Sequence, residues 1–260
     1  TAITTLLSTF KANVSNLTSD NTYLRRDANA TGSGSVSVTA NAGVAEQNMS
    51  LSVQQLATHD SYQSKTFDLR NGTVFDNDVS FGISIGGKDY VINADSSTTL
   101  EGLAEKINEA TEGKVQAKIL NVGGAAGAES YRLVIQSAET GSANAMSFYA
   151  ITNTTGGNAS HTSTDSTLEA LGFYFDKAST TNTDKDSHGN TIQRLTLKKP
   201  DDIKDKGDNV GSQLDVAKDA KFKYNGIDIT RSSNTVDDLI LGVSLTLNKV
   251  DKEGESTNVN

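Results

Sequence analysis

Apolar and polar residues alternate along this chain with two different periods, and the first segment follows the helical one. TAITTLLSTFKANVSNL sets Ile3, Leu6, Leu7, Phe10, Val14 and Leu17 three and four residues apart, so one stripe of a helix is apolar. An isolated helix of about 20 residues is marginal in water. The stripe Ile3, Leu6, Phe10, Val14 and Leu17 is therefore expected to pack on a partner in the manner of a coiled coil. The rest of the chain has no matching helical pattern, which places that partner in a part of the protein beyond this sequence; docking onto the neighbouring sheet is the alternative. After Arg25 and Arg26 the polar run DANATGSG ends the helix, giving a helical stem over residues 1–28.

From there the period is two. SVSVTAN alternates Val36 and Val38 with polar residues, and NMSLSVQQLA does the same with Met49, Leu51 and Val53. The intervening AGVAEQ suggests a hairpin between these strands. DVSFGISIGGKDYVINA predicts two strands joined at Gly86-Gly87, because a Gly-Gly pair supplies the positive φ of a tight turn. A helix follows, with Leu100, Leu103, Ala104, Ile107 and Ala110 on one face. Thr98 and Glu101 fit a capping box and Gly113 a C-terminal stop. KVQAKIL and YRLVIQSAETG, joined through the glycine-rich turn at Gly123 to Gly127, complete an expected sheet of about four strands crossed by one helix.

Residues 153–166 and 179–190 are polar and nearly free of apolar side chains, so both are read as exposed loops. Between them TLEALGFYFDKA predicts a short helix and a strand. TIQRLTLKK is a strand that stops at Pro200, and the charged run DDIKDKGDN reads as a solvated loop. FKYNGIDITR places Asn225-Gly226 between two alternating arms, a strong hairpin signal. In SSNTVDDLILGVSLTLNKV a one-turn helix capped at Asn234 or Thr235 is expected before a strand through Val243, Leu245 and Leu247. The predicted fold is α+β and predominantly β, with two β-rich domains on the helical stem.

Composition narrows the function. Aromatics are 6% of the residues and Trp is absent, which disfavours a wide aromatic-lined pocket for an organic ligand. A formal net charge of -9, with no long Lys/Arg block, argues against nucleic acid and anionic membrane surfaces as partners. No apolar run approaches the roughly 18 residues of a membrane span, and Thr1 to Phe10 lacks the charged start of a signal peptide. The chain begins at Thr1 and stops in mid-pattern at Asn260, as an excised fragment would. Cysteine is absent, which removes disulfides, thiolate metal sites and thiol nucleophiles.

No catalytic residue, cofactor or metal site is expected. His59, His161 and His188 lie in polar, loop-like contexts, where no second group is held within reach. Asn182, Asp184, Asp186 and His188 alternate as calcium ligands do, yet the loop lacks the central Gly and the distal Glu of a calcium-binding loop; a flexible acidic loop is the preferred reading. Gly123 to Gly127 joins two strands, not a strand and a helix N-terminus, and so is a turn and not a phosphate cradle.

Two segments carry a family resemblance. TLEGLAEKINEATEGKVQAKILNVGG with YRLVIQSAETGSANAMSF resembles the flagellin-and-hook IN motif of flagellar axial proteins. DAKFKYNGIDITRSSNTVDDLILGVSLTL, with SLSVQQLATHDSYQSKTF earlier in the chain, resembles the inner β domain of flagellar filament cap proteins, the FliD family. The matching features include Asn225-Gly226, Thr230 to Asn234 and Gly242-Val243. The resemblance implies an interrupted layout, one domain inserted into the other, with residues 33–65 and 216–250 as two halves of one sheet in a discontinuous inner domain and residues 66–215 as the inserted distal domain. It also implies a non-enzymatic homo-oligomeric cap, exported by the flagellar type III system to the extracellular tip of the filament. Its implied partners are further copies of itself, flagellin and hook-associated junction proteins. An adhesin module that binds host glycan or mucin through the distal domain is the competing reading, and a junction protein is a third.

Overall fold

Alternating apolar positions become strands in the computed structural model, which describes residues 2–18, 28–153, 165–176 and 184–260. Helix α1 (Ala2–Thr18) is followed in sequence by β1 (Ala30–Gly32), β2 (Val36–Ala40) and β3 (Met49–Gln55). Next come β4 (Ser61–Gln63), β5 (Val79–Ile85), β6 (Lys88–Ala94), α2 (Leu100–Ala110), β7 (Val115–Asn121), β8 (Tyr131–Ser137), β9 (Ser147–Asn153), α3 (Asp165–Glu169), β10 (Asp184–Lys185), β11 (Thr191–Leu195) and β12 (Ser212–Asp215). The last strands are β13 (Ala220–Tyr224), β14 (Ile227–Arg231), β15 (Thr235–Ile240), β16 (Val243–Leu247) and β17 (Thr257–Val259). The fold is mostly β with few helices. It divides into two compact units: Thr1–Ala57 with Asp219–Asn260, and Thr58–Lys218.

The discontinuous unit holds a five-stranded sheet in the order β1-β17-β3-β13-β14 and a three-stranded sheet in the order β15-β16-β2. Each draws strands from both arms of the chain: Val53 lies opposite Phe222, and Val38 opposite Leu245. The inward side chains of the two sheets share one core, with Leu51, Val53 and Phe222 from the first and Val36, Leu245 and Leu247 from the second. Two polar anchors fix where strands end. Asn234 imitates a strand neighbour, accepting the Ala57 N–H at 2.7 Å and donating to the Ala57 carbonyl at 2.8 Å. One Asp251 oxygen accepts from the Ser35 hydroxyl at 2.8 Å and the Val53 N–H at 2.7 Å.

The continuous unit has a five-stranded sheet, β10-β11-β9-β5-β6, and a four-stranded sheet, β12-β4-β8-β7. Helix α2 packs against β6 and β7, and buries Leu100, Leu103, Ala104 and Ile107. Gly86 and Gly87, at φ 59° and 75°, close the β5–β6 hairpin as their pairing predicts. Aromatic rings gather in this core: Tyr62 meets Phe148 edge-on at 5.1 Å, and Phe148 stacks on Phe173 at 5.6 Å. Its two ends lie side by side, Thr58 N–H donating to the Lys218 carbonyl at 3.0 Å.

Several expectations change. β2 and β3 form no hairpin; they belong to different sheets, so the two arms of the inner unit build two sheets and not one. The predicted four-stranded sheet is likewise split, with β5–β6 in one sheet, β7–β8 in the other and α2 packed against both. Residues 235–240 are strand β15, because Asn234 spends its side chain on Ala57 and not on a helix cap. The α2 cap is Thr99, which accepts the Gly102 N–H at 3.1 Å; Thr98 closes a turn with Asp95, and Glu101 pairs with Arg70. Phe175 makes a single bridge to Leu197 where a strand was expected. Residues 184–190 form a hairpin arm and turn with β11, and Pro200 opens a 3₁₀ turn over Pro200–Lys206 that buries Ile203. The remainder of the two polar stretches, 154–164 and 179–183, lies outside the described residues.

Candidate assembly surfaces

Helix α1 carries the stripe that periodicity predicts, and its apolar residues face water. Ile3 is 80% exposed, Leu6 71% and Phe10 68%, with Val14 less so at 39%; the Leu17 side chain lies outside the described residues. Large apolar side chains seldom line up on one exposed face without a covering partner. Ser8 and Thr9 donate their hydroxyls to the Thr5 carbonyl on the same helix, at 2.8 and 2.9 Å.

The second predicted feature is a turn of the inner unit. Asn225 and Gly226 have φ 48° and 86°, as a two-residue type I′ hairpin between β13 and β14 requires. The Asn225 amide oxygen accepts the Ser50 N–H at 2.7 Å, and its own N–H donates to the Ser50 carbonyl at 2.8 Å, so the turn is tied to β3. The stripe and the turn serve different surfaces, and the structure does not bring them together into one site.

Polar chemistry within the continuous unit is turned inward. Asp60 is 1% exposed and accepts from the Met146 N–H at 2.6 Å, Gln213 Nε2 at 2.7 Å and the Tyr62 hydroxyl at 3.4 Å. Burial pushes its carboxyl above the ordinary range against these bonds. Burial, with the Asp60 charge alongside, raises the Tyr62 hydroxyl in turn. Sequence reading missed Asp60, since a single carboxylate in THDSY gives no local sign of burial. Asp186 is also buried, and its Oδ1 accepts the N–H groups of His188 and Asn190, which makes it the organiser of a turn.

An open groove beside β6 is lined by Lys88, Asp89, Tyr90, Glu112 and His188, among others. Its charges are already paired: Lys88 with Glu112 at 3.0 Å, and Asp89 with Ser84 and Arg194. His59 Nδ1 lies 2.9 Å from the Ser137 carbonyl, and His161 falls outside the described residues. Among the described residues no group of three or more His, Asp or Glu is placed to hold a metal. No described helix is long and apolar enough to cross a membrane.

Residues 1–60 match the family model for the flagellar hook-associated protein 2 N-terminus, and residues 217–260 match that for its C-terminus. The matched stretches are the two arms of the discontinuous unit, flanking the inserted one. The flagellar hook-associated protein 2 of Campylobacter jejuni is 35% identical over 255 residues, 96% of this chain. The chain belongs to the flagellar hook-associated protein 2 family. It spans only part of its relatives, 37% of the Campylobacter jejuni protein and 21% of the Helicobacter pylori one, to which it is 31% identical over 147 residues.

Solved structures agree on the fold of the family. The D2-D3 domains of the flagellar cap protein FliD from Escherichia coli align with a TM-score of 0.58 at 22% identity, covering 90% of this chain and 99% of that one. FliD from Pseudomonas aeruginosa aligns with a TM-score of 0.54 at 23% identity, covering 86% of this chain and 82% of that one.

Proposed function

We propose that the protein containing this chain is a structural, non-enzymatic cap at the distal tip of the flagellar filament. The observation that carries this reading is the sequence match to the hook-associated protein 2 family across 96% of the chain, including both arms of one split β unit. In this reading the protein is exported by the flagellar system and assembles with copies of itself. In that assembly a plate blocks escape of unfolded flagellin, while helical legs move aside to admit each new subunit. Flagellin and the hook-associated junction proteins are its neighbours.

The α1 stripe of Ile3, Leu6, Phe10, Val14 and Leu17 is the packing face of such a leg; of the 1–28 stem expected from sequence, residues 19–27 lie outside the described residues. Rigid sheets suit a plate because their backbone hydrogen bonds are satisfied internally and their inward faces are packed. Deleting the gene should leave cells without filaments and with unpolymerised flagellin in the medium, both reversed by a plasmid copy. Filaments of normal length in the deletion strain would refute the cap reading.

A further inference from the structure

The chain contains two Asn-Gly dipeptides, Asn71-Gly72 and Asn225-Gly226, and the fold treats them in opposite ways. Asparagine before glycine is open to attack on its side-chain amide by the next main-chain nitrogen. Glycine has no Cβ to keep that nitrogen at a distance. At Asn225 the amide is fastened to the Ser50 N–H at 2.7 Å, and both residues are locked in a two-residue turn between paired strands. The Gly226 nitrogen cannot reach the Asn225 Cγ without breaking that turn.

At Asn71 the restraints lie on the flanks. The Arg70 carbonyl accepts the Glu101 N–H at 3.3 Å and the Gly72 carbonyl accepts the Leu100 N–H at 3.0 Å, so the loop is seated on the first turn of α2. Asn71 itself is exposed, and its amide makes no hydrogen bond to any described residue. The Gly72 N–H has only a long contact, 3.4 Å, to the Leu69 carbonyl.

We infer that Asn71 is a site of spontaneous deamidation in the folded protein, while Asn225 is protected. The Gly72 nitrogen gives its proton to solvent base and bonds to the Asn71 Cγ. The Cγ–Nδ2 bond then breaks and ammonia leaves, closing a succinimide. Water adds at either carbonyl of this ring and opens it to aspartate or to isoaspartate, with no change of oxidation state. In the isoaspartate the main chain runs through Cγ and is one methylene longer, between the two carbonyls that seat α2.

The test is to age the full chain in mildly alkaline buffer, folded and in urea, and to follow both peptides by mass spectrometry and by isoaspartyl methyltransferase labelling. In the folded protein the Asn71 peptide should convert several-fold faster than the Asn225 peptide. In urea the two rates should converge, and Gly72→Ala should slow conversion at Asn71 several-fold. Equal rates at the two sites in the folded protein would overturn the inference. So would an Asn71 peptide that stays intact when folded but converts in urea, or a Gly72→Ala variant that ages like the parent.

Discussion

The two units of this chain are both antiparallel β structures, yet they are assembled from sequence in different ways. In the discontinuous unit the pairings β3–β13, β2–β16 and β1–β17 join residues on opposite sides of the insertion. The continuous unit takes every strand from Thr58–Lys218 and includes the local hairpins β5–β6 and β7–β8 with α2 between them in sequence. Its core is rich in aromatic rings, whereas the split unit has Phe222 among aliphatic side chains. One unit is therefore complete on its own stretch of chain, while the other exists only when both arms meet.

Core truncation should separate the two most strongly. Phe222→Ala and Phe173→Ala each remove a fully buried ring, at a cost of about 3–5 kcal/mol. Hydrogen exchange read by mass spectrometry should show the first loosening β3 and β13 and the second loosening β4 and β9, each leaving the other unit protected. Loss of protection across both units from either change would break the comparison. Gly82 comes next. A Cβ there would lie 1.8 Å from the Tyr149 ring, so Gly82→Val must displace a buried tyrosine and should cost roughly 1–3 kcal/mol in the continuous unit alone.

A smaller effect is expected at Gly226, where a Cβ meets open space and only the positive φ resists it. Gly226→Val should lower the stability of the split unit by about 1 kcal/mol, and an unchanged melting temperature would contradict the turn.

The smallest effect is a difference in pH response. Burial pushes Asp251 upward, but the nearby Ser33 hydroxyl and hydrogen bonds from the Val53 N–H and the Ser35 hydroxyl outweigh it, so its carboxyl sits below the ordinary range. Its contribution to the split unit is present above the unfolded value of about 4 and is lost as pH falls through the lowered folded value. Asp60 is raised, so its contribution to the continuous unit has the opposite sign, fullest below the unfolded value and lost as pH rises through the folded one. Acidification should therefore expose β2 and β3 before β4 and β8 in exchange measurements, and Asp251→Asn should narrow the gap.

What could be read from sequence was local. The Gly86-Gly87 and Asn225-Gly226 hairpins follow from turn chemistry, and the buried face of α2 follows from the spacing of Leu100, Leu103 and Ile107. The partition into sheets could not be read, since Val38 carries no sign that Leu245 and not Met49 or Leu51 is its neighbour. β1 and β17 are three residues each, too short for a period to emerge. Asn234 misled because one side chain suits both a helix cap and a backbone clamp, and only the position of Ala57 decides between them. Of the candidate features, the α1 stripe and the Asn225 turn were visible, while Asp60 depends on donors from Met146 and Gln213 that fold in from far along the chain.

The most direct test replaces residues 58–218 with a short glycine-containing turn joining Ala57 to Asp219, whose neighbours already pair as Gln55 opposite Lys221. The shortened protein should melt cooperatively and protect the amides of β3, β13 and β16. An unfolded product, with the excised 58–218 segment also failing to fold by itself, would contradict the division into a split unit and a self-contained insert.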